Sequence, residues 1–144
     1  MIRMKYFIFY LLLGIVIVFP SISSGEEFVV IVNKENPVKS MSMSHLKRIY
    51  LKSIKNWDTG EKISPLDMKE GSSLREVFYR TIFNKGAKDM SVYWLKQRIT
   101  KNIKPPVVKS TDTEIKDYVS KNRGAVGYIE KSAADNSVQV VEIR

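Results

Sequence analysis

Runs of β-branched and apolar residues alternate with segments of helical periodicity, and this alternation constrains the fold more than any other feature of the sequence. Strands are predicted at 28–32, 63–66, 125–129 and 138–143, with an extended segment at 107–108. Between them, apolar residues recur at helical spacing, as at Leu46, Ile49 and Tyr50, and a further helix is predicted from Asp89. Strands that alternate with helices predict an α/β domain with a largely parallel or mixed sheet flanked by helices.

Two of the predicted helices carry start signals of the same kind. Ser73 is followed by Glu76, and Thr111 by Glu114, which is the spacing of a capping box. The second of these helices is predicted to stop at Gly124, because glycine favours the residue just past a helix end.

The N-terminal segment has the composition of an export signal. Arg3 and Lys5 precede an uninterrupted apolar run at 6–19, and Pro20 ends that run. Fourteen helical residues span roughly 21 Å, at about 1.5 Å each. That length falls short of the ~30 Å hydrocarbon core of a bilayer. We therefore predict a cleaved signal peptide rather than an uncleaved anchor, which is the alternative.

The small residues Ser23 and Gly25 place the predicted cleavage before Glu26. The expected organisation is a signal peptide at 1–25 and one domain at 26–144, which works in the periplasm or is secreted. With no cysteine in the chain, a lipid-anchored lipoprotein, disulfides and thiol chemistry are excluded.

The predicted mature chain is basic, with 22 Lys and Arg against 15 Asp and Glu and hence a net charge of +7. Such a charge favours anionic partners without identifying one. The basic residues are scattered and do not alternate with aromatic residues, so no nucleic-acid groove is predicted. We expect membrane contact only through the signal peptide before cleavage.

Nothing in the sequence favours catalysis. His45 is the only histidine, so no second one exists to pair with it as a metal ligand, and no metal or cofactor is expected. The carboxylates of Asp58, Glu61, Asp67 and Glu70 are predicted in loops, with no two on one face. Trp57 and Trp94 are interpreted as core residues rather than as a stacking surface for bases or sugars.

One segment carries a possible binding chemistry. A predicted strand leads into Gly71, Ser72 and Ser73, where the next helix begins with free backbone N–H groups. Serine hydroxyls and the Arg75 guanidinium add donors suited to an oxyanion such as phosphate. The alternative is a capped helix start with no ligand.

The order of motifs along the chain resembles the periplasmic phosphate-binding proteins of ABC importers. The series consists of 28–33, Asn36-Pro37-Val38, 46–50, Trp57 with Gly60, Gly71-Ser72 with Arg75 and Phe78, Tyr93-Trp94, Pro105-Pro106 and 124–129. The resemblance implies one lobe of the type II periplasmic binding protein fold, the second of the two lobes that such proteins have. It also implies weak phosphate binding by a non-catalytic protein, with a second copy or a separate chain supplying the other wall of the cleft.

The family's phosphate loop reads Arg-x-x-Gly-Ser-Gly-Thr, and only Gly71 and Ser72 match it here. Met68 stands at the arginine position, and Ser73-Leu74 replaces the final Gly-Thr. Arg75 lies one position past the motif, from which it could replace the lost charge. The alternative belongs to another class of function. It is an interaction module of the cell envelope that keeps the fold, has lost ligand binding and binds another protein.

Overall fold

The computed structural model describes residues 27–144, and the predicted signal peptide at 1–25 and its predicted cleavage site before Glu26 lie outside this range. The described chain has six strands and four α-helices. In chain order they are β1 (Phe28–Val32), β2 (Ser40–Met41), α1 (Met43–Tyr50), β3 (Ser64–Met68), α2 (Ser73–Phe83), α3 (Ala87–Lys101), β4 (Val107–Lys109), α4 (Asp112–Lys121), β5 (Ala125–Glu130) and β6 (Gln139–Ile143). A 3-10 turn, Lys131–Ala133, separates the last two strands.

The strands form one mixed sheet in the order β2-β6-β1-β5-β3-β4. β3 runs parallel to β4 and β5, whereas β1 is antiparallel to β5 and β6. The predicted α/β class with a mixed sheet flanked by helices is confirmed. The sequence pattern did not indicate β2, which is only two residues long and pairs with β6.

Helices cover both faces of the sheet, and β5 shows how the two faces differ. The Gly127 Cα lies against the Ile115 side chain of α4, so a Cβ there would approach Ile115 Cγ2 to 2.7 Å. Tyr128 points to the other face, where its ring stacks on Phe78 of α2 with centroids 3.9 Å apart. Since both faces are covered, the two central strands β1 and β5 are continuous apolar runs up to Glu130 and do not alternate between apolar and polar residues. Leu46, Ile49 and Tyr50 of α1 are buried as predicted.

The end of α4 differs from the prediction. The helix ends at Lys121 with Asn122 as its C-cap, and Gly124 does not have the positive φ of a helix-stop glycine. A Cβ on Gly124 would lie 2.0 Å from the carbonyl oxygen of Lys62. Glycine is therefore required here for close approach of two backbone segments, and the predicted stop role is wrong.

Candidate functional site

The candidate site lies where β3 ends and α2 begins. Gly71 has φ +82°, a conformation that L side chains rarely adopt, although a Cβ there would meet nothing within 4 Å. Ser72 is the N-cap of α2, since its Oγ accepts a hydrogen bond from Arg75 N at 3.3 Å. The first turn of a helix leaves N–H groups without intrahelical acceptors, and the helix dipole is positive there. The start of α2 is therefore a helix end that Ser72 caps and that carries partial positive charge.

The capping box predicted at Ser73 is wrong by one residue. Ser73 is the first helical residue, because Ser72 has the extended backbone of an N-cap. Glu76 instead accepts a hydrogen bond from Ala87 N at 2.7 Å, which lowers its pKa, and pairs with Arg80. At α4 the predicted N-cap is confirmed, since Thr111 accepts from Glu114 N.

Arg75 is buried beneath the first turn of α2, with 6% of its surface exposed. Its Nε donates to Asp67 Oδ2 at 3.1 Å, and its Nη2 donates to Ser91 Oγ at 3.0 Å. Its guanidinium also lies 5.2 Å from the ring centre of Tyr79. Arg75 therefore supports the site from below, with much of its donor capacity already directed to the protein.

Asp67 is the central acceptor of this buried cluster and accepts four hydrogen bonds. Oδ1 accepts from Met68 N at 2.8 Å and from the Tyr128 hydroxyl, and Oδ2 accepts from Arg75 and, at 2.7 Å, from the Tyr79 hydroxyl. Burial and the negative charge of Asp67 raise the pKa of both tyrosines well above 10, so they remain donors.

The prediction that Asp67 lies in a loop is wrong. β3 continues to Met68, and Asp67 is a strand residue with 3% of its surface exposed. A carboxylate at such a position needs charged and hydrogen-bonded partners. Those partners come from α2 and from β5, up to 61 residues away along the chain. The sequence signal that was available is the pair Arg75 and Tyr79, which lie four residues apart on α2 beside its buried apolar residues.

Two adjoining cavities open beside these residues. The first is a groove of about 790 Å³ between the start of α2 and the helix α3, lined by Gly71, Ser72, Ser73, Lys88, Val92 and Leu95 among others. The second, of about 250 Å³, lies between α3 and β4 and includes Trp94, Arg98 and Val108. Arg75 and Ser91 line both. All four predicted site residues thus lie on one wall of the first groove.

Metal sites, membrane-spanning helices and exposed tryptophans are the other features that could give the described residues a function. Within 27–144, no three His, Asp or Glu side chains are grouped so that they could hold a metal ion. None of the helices in this part of the chain is both long and apolar enough to cross a membrane. Trp57 and Trp94 are each 5% exposed, so their prediction as core residues is confirmed.

Solved structures with this fold include several phosphate-binding proteins. An ABC-type phosphate transport receptor from Vibrio cholerae matches at 23% identity with a TM-score of 0.64, over 82% of this chain and 46% of the receptor. PstS from Borrelia burgdorferi matches at 16% identity with a TM-score of 0.61, over 83% of this chain and 47% of PstS. No curated protein matches the sequence.

A phosphate ABC transporter substrate-binding protein from Clostridium perfringens, solved with bound phosphate, is 27% identical, with a TM-score of 0.66 over 82% of this chain. The match covers 45% of that protein. The chain therefore spans less than half the length of these solved proteins, as the predicted one-lobe resemblance implies. A family model described as "PBP superfamily domain" matches residues 25–142. The chain therefore belongs to the family that this model describes, the PBP superfamily domain.

Proposed function

We propose that this chain is an exported, non-catalytic substrate-binding-type domain that binds phosphate or a similar oxyanion weakly at the N-terminus of α2. Gly71, Ser72, Ser73 and Arg75 form the site. The observation that carries the proposal is the position of this helix start, in a groove and at the end of a buried parallel strand. The fold of this chain also matches 45% of a substrate-binding protein solved with bound phosphate.

The α2 dipole and Lys88 favour an anion over a neutral ligand in the groove, whereas two acidic residues of its lining oppose one. Lys88 lies exposed on the opposite wall, and the helix dipole adds partial positive charge. The buried charge of Arg75 is offset by Asp67. Glu70 and Glu76 also line the groove, and Glu76 pairs with Arg80. Water reaches the groove, so each charge-assisted bond is weaker than in a closed cleft. Millimolar affinity, about −4 kcal/mol, is the expected scale.

Calorimetric titration of the protein with phosphate and with sulfate tests the proposal. Ser72→Ala removes the N-cap of α2 and should lower the phosphate affinity. Thr111→Ala is the matched control, because Thr111 caps α4 through the same bond to the third helical N–H. The control should leave the affinity unchanged. Absence of heat up to tens of millimolar phosphate, or equal losses in the two variants, would contradict the proposal.

We also propose that a second copy or a separate chain closes the open side of the groove. The support is that the chain spans less than half of each solved relative. Closure would exclude water and strengthen the charge-assisted bonds. Light scattering with and without phosphate should then show a larger particle in phosphate, and an unchanged mass would count against a second copy.

A further inference from the structure

The smaller cavity, between α3 and β4, lies apart from the start of α2. None of the residues 71–73 lines it, and its volume is about 250 Å³. Pockets for drug-sized ligands have volumes of about 300–1,000 Å³, so this cavity suits a smaller molecule. Its apolar lining includes Met68, Leu95, Pro106 and Val108. A molecule bound here would therefore meet a largely apolar wall.

Arg75 is a buried cation with unused donors beside this cavity. A guanidinium group has five N–H donors, and Arg75 uses Nε for Asp67 and Nη2 for Ser91. Within 27–144, its Nη1 donates to no residue. Nη1 is also not sealed from solvent, in contrast to the buried Nε1 of Trp94. Because only 6% of the Arg75 surface is exposed, the space that Nη1 reaches belongs to the two cavities that Arg75 lines.

The charges of the smaller cavity differ from those of the larger groove. Its cationic side chains are Lys69, Arg75 and Arg98. Its carboxylates are Asp67 and Glu70, and that of Asp67 already accepts four hydrogen bonds within the protein. The lining of the larger groove has two residues of each sign. The smaller cavity therefore has an excess of one positive charge, which a singly charged anion would balance and a doubly charged one would exceed.

We propose that the smaller cavity binds a short-chain monocarboxylic acid as its carboxylate. The carboxylate accepts hydrogen bonds from Arg75 and Arg98, since guanidinium groups match carboxylates in charge and in planar geometry. The chain packs on Leu95 and Val108 beside the Trp94 ring. The sealed Nε1–H of Trp94 takes no part in this contact. The site adjoins the proposed oxyanion site but does not depend on it.

Nitrogen-proton correlation spectra recorded during a titration with butanoate give the first test. The indole signal of Trp94 should shift along a saturable curve, because the acid contacts its ring. Trp57 is the internal reference, since its indole donates to Gly124 O and lines a different pocket. Butanoate should bind about tenfold more tightly than acetate, because two more methylene groups leave water. 1-Butanol, which has the same chain length and no charge, should bind roughly tenfold more weakly than butanoate.

Two pairs of variants test the placement. Val108→Phe should lower the butanoate affinity about fivefold, because the larger ring fills part of the cavity. Val107→Phe is its control, at an exposed valine of the same strand that does not line the cavity. Arg98→Gln should also lower the affinity about fivefold, because it removes a charged donor. Arg48→Gln is its control, since each arginine is exposed in the last turn of its helix.

The outcomes separate this site from the proposed oxyanion site. Equal affinity for butanoate and 1-butanol would overturn the inference, as would equal losses within either pair of variants. It would also fail if tens of millimolar butanoate left the Trp94 signal in place. Ser72→Ala should weaken phosphate binding and leave butanoate binding unchanged, because Ser72 does not line the smaller cavity. Binding of phosphate alone therefore overturns this inference only, and binding of butanoate alone overturns only the proposed function.

Discussion

At the scale of single residues, the Asp67–Arg75 pair is the feature on which the site most depends. Both side chains are buried, and Asp67 also holds the hydroxyls of Tyr79 and Tyr128. Removing one partner of such a pair leaves an uncompensated buried charge. This pairing also means that an alanine at Arg75 would disturb folding as well as ligand binding, so Ser72 is the better probe of the site.

We predict that Asp67→Asn lowers the free energy of unfolding by about 3–5 kcal/mol, the usual cost of breaking a buried ion pair. Urea unfolding measures this. Asp117→Asn is the matched control, since Asp117 pairs with Lys121 at 2.7 Å on the exposed face of α4. The control should change little, because exposed ion pairs contribute little. Similar losses of unfolding free energy in the two variants would show that Asp67 does not form a buried ion pair with Arg75.

Tyr79 should make stability depend on alkaline pH. Burial and the charge of Asp67 raise its pKa in the folded protein, whereas the unfolded chain loses the proton near the ordinary value of 10.0. The contribution of Tyr79 is therefore fully present below pH ~10 and is lost as pH rises further, because the unfolded state then binds fewer protons.

The measurement is urea unfolding of the protein and of Tyr79→Phe between pH 8 and 11. The variant should be less stable at pH 8, by about 1.5–3 kcal/mol for a lost bond to a charged group. The gap between the two proteins should narrow above pH 10. A gap that stays constant through pH 11 would show that the Tyr79 hydroxyl ionises equally in both states.

At the scale of elements, the sequence predicts most strands and helices because their apolar patterns are local. It predicts the buried face of α1 and the N-cap Thr111 correctly. It places the α2 cap at Ser73 instead of Ser72, since two adjacent serines offer the same side chain and only the backbone conformation distinguishes them. Burial of Asp67 could not be predicted locally, because its side-chain partners lie on two other elements, α2 and β5.

Gly124 is predicted to end a helix, whereas the structure indicates that it permits close approach of two backbone segments. Substitutions by alanine and asparagine distinguish these two roles. At Gly60, where φ is +90° and the surroundings are open, asparagine should be tolerated better than alanine, because it adopts positive φ more easily. At Gly124, where a Cβ would meet the Lys62 carbonyl, both should destabilise by at least about 1–3 kcal/mol. Thermal unfolding of the four variants measures this, and an asparagine rescue at Gly124 would restore the helix-stop interpretation.

At the scale of the whole molecule, the excess of positive charge means that any anion affects stability. The full chain carries a formal charge of +9, and screening of this charge by salt is not specific to one site. A bound ligand acts differently, because it stabilises only the folded state and does so according to its concentration relative to its dissociation constant. Comparison of phosphate with chloride at equal ionic strength therefore separates the site from general screening.

With a dissociation constant of about 1 mM, 10 mM phosphate should stabilise the folded protein by about 1.4 kcal/mol. For a domain of this size, that corresponds to roughly 5 °C in the melting temperature. Sodium chloride at the same ionic strength should produce a clearly smaller shift. Thr111→Ala should retain the difference between the two salts, and Ser72→Ala should lose most of it, because only Ser72 lies in the groove. Equal shifts in phosphate and chloride for the unmodified protein would mean that the stabilisation comes from screening of the net positive charge and not from binding at the start of α2.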